Sequence, residues 1–148
     1  MKLTIQRAPG EEATDEHYQL VPGARQLGRD FVHERWPSED LADTLGLVVT
    51  ELLGNALRHG DGTVSAEFRY AASEHEIRLV VTDESCNEPR LALCTDLAAE
   101  AGRGLALVEF SVQEQRGRLT VEVASSGKAV ICTFPAPEPG TNGERQSA

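Results

Sequence analysis

One long amphipathic segment narrows the possible folds more than anything else in this chain. From Ser38 to about Arg58, Leu41, Leu45, Val48, Val49, Leu52, Leu53 and Ala56 recur at helical spacing and make one broad apolar arc. Ser38 is placed to cap the helix, Glu39 and Asp40 suit its first turn, and Gly60 stops it. A stripe that wide needs a flat apolar partner, and a sheet supplies one.

The partner is legible downstream, where the hydrophobic period drops to two. TVSAEFRYAA (63–72) and EIRLVVTD (76–83) read as strands of a hairpin turning across Ser73–His75. RLTVEVAS and KAVICTFP read as a second hairpin across Ser125–Lys128. A helix over 22–36 opens on Pro22, and another, opened by glycine, covers 102–112. HYQLV (17–21) is strand-like. Residues 1–16 read as a short strand or tail, 84–101 as an irregular loop, and 136–148 as a disordered tail. The expected fold class is α+β: a two-layer sandwich, with a mixed, mostly antiparallel sheet and helices on one face, in one domain over 17–135.

Charge and cysteine content narrow the function. A formal net charge of −10 leaves no broad basic surface for direct nucleic-acid binding or for anionic lipid. A small phosphate-bearing ligand stays compatible, because backbone N–H groups and a metal ion hold phosphate with few basic side chains. Cys86, Cys94 and Cys132 form no C-x-x-C and read as free thiols of a reducing cytoplasm. The N-terminus has no apolar signal core, and no apolar run reaches membrane-spanning length. The four histidines show no ligand spacing.

Three places carry chemistry. In TELLGNALRHG, Glu51, Asn55 and His59 stand four apart at one edge of the apolar arc, as the helix runs out. Glu51 is a carboxylate able to accept a proton or orient water, and Asn55 is a neutral oxygen of the kind that ligates Mg²⁺. In VVTDES, Asp83 ends an apolar strand, where a carboxylate can accept from a ligand's amino group. In EAGRGLALVEF, Gly102 and Gly104 bracket Arg103 at a helix start, where backbone can approach an anion. That G-x-G is neither a Walker A nor a dinucleotide fingerprint.

Taken in this order, the segments resemble the GHKL ATPase superfamily of gyrase, mismatch-repair ATPases and histidine kinases. Within it the chain looks most like the small anti-sigma-factor serine kinases and their actinobacterial ATP-binding relatives. ELLGNALRHG is similar to the family's N box, E-x-x-x-N-A-x-x-H-G. The resemblance implies the Bergerat ATP-binding fold, with ATP and Mg²⁺ as cofactors. It also implies Asn55 as the metal ligand, Glu51 as the polar partner or catalytic general base, and His59 near the phosphates or the lid. Asp83 would read the adenine amino group, Gly102, Arg103, Gly104 and Leu105 would frame the phosphates, and Thr133 would touch the adenine side. Loop 84–101 would be the lid. The family's D-x-G-x-G is here DESCNEP, without glycine, and larger side chains stand where backbone would approach the nucleotide.

By the same resemblance the protein is a cytoplasmic regulator of transcription. It would grip a sigma factor through ARQLGRDFV, with Arg25 as the contact, and phosphorylate a serine of a STAS-type anti-anti-sigma partner. A homodimer is left open. Two alternatives stand beside this reading: a non-catalytic partner-binding module with weakened or lost nucleotide binding, and a detached histidine-kinase catalytic domain.

Overall fold

A computed structural model describes residues 1–86 and 100–138, with backbone alone for 100–103. Most of the expected lid, residues 87–99 with Cys94, lies outside the described residues, as do the tail from 139 onward and the Arg103 side chain. The elements run β1 (Lys2–Ile5), α1 (Asp15–Tyr18), α2 (Val21–His33), α3 (Glu39–His59), β2 (Val64–Ala71), β3 (Glu76–Asp83), α4 (Glu100–Glu114), β4 (Arg118–Ala124) and β5 (Gly127–Pro135).

The five strands form one open sheet in the order β1-β2-β3-β5-β4. Every described pairing is antiparallel, so the sheet is not mixed. Alternation puts Val64, Ala66, Phe68, Ile77, Leu79, Val81, Val130, Cys132 and Phe134 on the buried face. The other face carries ion pairs, including Arg69–Glu67 at 2.6 Å and Arg118–Glu76 at 3.2 Å. This is the two-layer α+β sandwich that the change of period implies.

Helix α3 lies across the inner face with Leu45, Val48, Val49, Leu52 and Leu53 buried. Each such side chain contributes about 1.5–3 kcal/mol by leaving water. Ser38 caps it, its hydroxyl accepting from the Leu41 amide at 3.2 Å. Helix α2 flanks α3 on one side and α4 on the other. The close approach of α2 to the sheet depends on Gly28, since a Cβ there would come within 2.8 Å of the Phe68 ring, which stacks on Phe31.

Two expectations need correcting. Residues 17–21 are not a strand, since they span the end of α1 and the start of α2. Thr14 caps α1 reciprocally: its hydroxyl accepts from the His17 amide, and its own amide donates to His17 Nδ1 at 3.0 Å. That local bonding overrides a short apolar alternation. Helix α4 begins at Glu100 rather than at Gly102, which puts Gly102 and Arg103 in its first turn and Gly104 beyond it. Among the described residues no helix is long and apolar enough to cross a membrane.

Candidate functional site

The last turns of α3 and the ends of β3 and β5 meet at one end of the sheet. Glu51 and Asn55 sit on the edge of α3, and Glu51 faces α4. A Cβ at position 104 would stand 2.8 Å from Glu51 Oε2, so Gly104 makes room for that carboxylate between the two helices. Asn55 is half-buried, and its Oδ1 is fully buried with no hydrogen-bond partner among the described residues. A buried amide oxygen without a partner costs stability, and a hard cation is a partner suited to it. The residues present therefore fit a Mg²⁺ ion held through Asn55.

His59 is exposed at the end of α3 and lines a cleft of about 880 Å³ with Arg7, Tyr18, Asp61, Ser85 and Cys86. Gly60 then turns the chain hard against Asp83, because a Cβ at 60 would lie 2.7 Å from Asp83 Oδ2. Gly127, at φ 149°, packs on the Asp83 backbone from the β5 side, where any Cβ would come 2.3 Å from the Asp83 carbonyl oxygen. Asp83 is thus walled in by two glycines.

The Asp83 carboxylate is not free. Its Oδ1 accepts from the Ser85 amide at 2.7 Å, and its Oδ2 lies 3.2 Å from Lys128 Nζ. The Asp83 and Lys128 side chains are only 3% and 7% exposed. Lys128 is directly opposite Asp83 in the β3–β5 register. Sequence reasoning passed over it, although a lysine at an inward position of an otherwise apolar strand was the available signal.

Thr133, by contrast, does not join the site. It is five residues along β5, where the alternation faces it to the other side of the sheet, and it pairs in register with Arg78 and Arg118. Strand periodicity forbids Asp83 and Thr133 from sharing a face. Leu105 is buried in the core and contributes packing rather than a surface for phosphate. Arg25 is exposed on α2, with its stem against Gly46 of α3, away from the cluster.

Arg7 was also missed. It is only 5% exposed and ties the N-terminal segment to the end of α3, with Nε donating to the Gly62 carbonyl at 3.0 Å and Nη1 to the Leu57 carbonyl at 2.8 Å. It serves as a side-chain cap for the helix that carries the polar residues. Burial pushes the Cys132 thiol up to about 12, so it is no nucleophile at neutral pH.

The sequence profile of the histidine kinase-like ATPase domain matches residues 13–114, about two thirds of the chain. Among solved structures, the chain is similar to the histidine kinase domain of the blue-light activated histidine kinase of Erythrobacter litoralis EL346. Identity there is 26%, covering 65% of this chain and 45% of that one, with a TM-score of 0.50. A second structure of that kinase gives 27% identity, 65% and 32% coverage, and a TM-score of 0.50. This chain thus spans less than half the length of those kinase chains. The catalytic domain of histidine kinase ThkA shares the fold at a TM-score of 0.54, covering 93% of this chain and 99% of that one, at 14% identity. No curated protein matches. With Glu51, Asn55, Asp83 and Gly104 all inside the matched span, the chain belongs to the histidine kinase-like ATPase domain family.

Proposed function

We propose that this protein is an ATP-binding regulator that takes its nucleotide with Mg²⁺ at the end of α3. The observation that carries the reading is the buried Oδ1 of Asn55, without a partner among the described residues, on the helix edge beside a carboxylate that faces a glycine of the next helix. Asn55 would hold the metal, and magnesium bound there would supply charge neutralisation on the phosphates. The first-turn amides of α4 would offer donors to the phosphate oxygens. Glu51, half-buried beside Gly104 of α4, takes the proton of an attacking hydroxyl. Phosphoryl transfer needs positioning and charge balance more than covalent chemistry, and these residues supply both.

The finer reading is an anti-sigma factor with serine kinase activity toward a STAS-type anti-anti-sigma protein, with Arg25 on the exposed side of α2 as the sigma-factor contact. The net charge of −10 supports a basic partner surface. A second reading has its own observation. The Asp83–Lys128 pair occupies the carboxylate that would read the base, which favours a partner-binding module with weakened nucleotide affinity.

Calorimetric titration with a non-hydrolysable ATP analogue, with and without Mg²⁺, tests the main reading. Magnesium-dependent binding that disappears in Asn55→Ala is the expected result. A well-folded wild type that takes up no nucleotide defeats it. Phosphate transfer from ATP to a cognate anti-anti-sigma protein, abolished in Glu51→Ala, is expected of the finer reading.

A further inference from the structure

The base-reading carboxylate of a purine pocket has a plain task, to accept hydrogen bonds from an amino group. Asp83 is placed for it at the end of β3, yet a lysine shares its burial. Lys128 Nζ stands 3.2 Å from Asp83 Oδ2. Gly60 approaches the carboxylate and Gly127 the Asp83 backbone, closely enough that a Cβ at either would clash with Asp83. The other oxygen, Oδ1, is committed to the Ser85 amide. Any base that reaches Asp83 therefore meets an ammonium beside the carboxylate.

That changes what the pocket can read. A bare buried carboxylate offers acceptors alone. A 6-amino purine donates to it through its amino group, while a 6-oxo purine sets O6 against a carboxylate oxygen. A carboxylate paired with an ammonium offers an acceptor and a donor side by side, and an ammonium carries three protons. The 6-oxo edge, with its carbonyl oxygen next to an N1–H, is complementary to that pair. The 6-amino edge, with its NH₂ next to an N1 acceptor, is complementary with the two roles exchanged. We propose that Lys128 is a specificity-determining residue of the base pocket, admitting 6-oxo purine nucleotides alongside 6-amino ones. The proposal rests on the nucleotide-binding reading given above.

The test is affinity for Mg-ADP and Mg-IDP, diphosphates that avoid turnover, measured by calorimetry on the wild type, Lys128→Thr and Lys128→Met. Threonine leaves Asp83 a hydroxyl donor without charge, and methionine keeps the length of the stem without a donor. Near-ultraviolet circular dichroism establishes that each variant is folded. The wild type should bind the two within about threefold of each other, and the variants should favour ADP by about tenfold or more, mainly through loss of IDP binding. A wild type that already prefers ADP tenfold, or a ratio that stays the same in both folded variants, overturns the proposal. In that case Mg²⁺- and Asn55-dependent binding of ADP would leave the nucleotide site standing. If neither diphosphate binds any of the three folded proteins, the proposal and the nucleotide site fall together.

Discussion

Asn55→Ala should make the protein more stable while destroying what its site is for. In the ligand-free fold Asn55 Oδ1 is buried without a partner among the described residues. An orphaned polar group of this kind costs about 1–3 kcal/mol. Alanine also suits a helix interior better than asparagine by about 0.5 kcal/mol. Against these gains stands the loss of roughly one buried methylene equivalent, about 0.8 kcal/mol at a half-buried position. The balance is a stabilisation of about 0.7–2.7 kcal/mol, or roughly 2–9 °C in melting temperature for a domain of this size. The assay is a thermal melt of both proteins, alone and with saturating Mg-ADP. The wild type should melt lower alone and rise with ligand, whereas the variant should melt higher alone and not respond. A variant that melts several degrees below the wild type would show that Asn55 Oδ1 is satisfied after all. A variant that keeps the full ligand-induced rise would show that Asn55 holds nothing.

Three further outcomes follow from other contacts. Gly104→Ala puts a methyl group 2.8 Å from Glu51 Oε2; the flexible carboxylate should swing away, cutting phosphate transfer at least about tenfold with stability changed by less than about 1 kcal/mol, as kinase and melting assays together would show. Arg7→Leu removes the donors to the Leu57 and Gly62 carbonyls and should cost about 2–4 kcal/mol in urea denaturation, with faster proteolysis of the first residues. The Cys132 thiol is pushed up to about 12 by burial, above an unfolded value near 8.5. Its share of stability is therefore complete below about pH 8.5 and is lost as pH rises toward 12, at up to about 1.4 kcal/mol per pH unit. Cys132→Val should flatten that alkaline limb in denaturation curves taken from pH 8 to 11.

The local bonding of the N-terminal region and the neighbours of the site were less legible than the core. The capping of α1 by Thr14 and His17 uses a histidine where glutamate or glutamine is the usual signal, so the sequence pattern concealed a helix start. Arg7 and Leu57 are fifty residues apart, and no local period brings them together. The assignment of Thr133 to the base pocket failed on parity, because a strand turns successive side chains to opposite faces and an odd offset from an inward position leads out of the site.

By itself the sequence determined the long amphipathic helix, the two hairpins and hence the layered fold, because spacings of 3.6 and 2 leave each element one apolar face to bury. It also determined that Glu51 and Asn55 share an edge of α3, since residues four apart on a helix are neighbours in any fold. Only the tertiary structure decided that Gly104 opens a space for Glu51, that Asn55 Oδ1 is buried without a partner among the described residues, and that Lys128 closes on Asp83. Those facts depend on strand register and on the approach of one helix to another. Both are set by the packing of residues far apart in the chain, and they decide which polar groups meet at the end of the sheet.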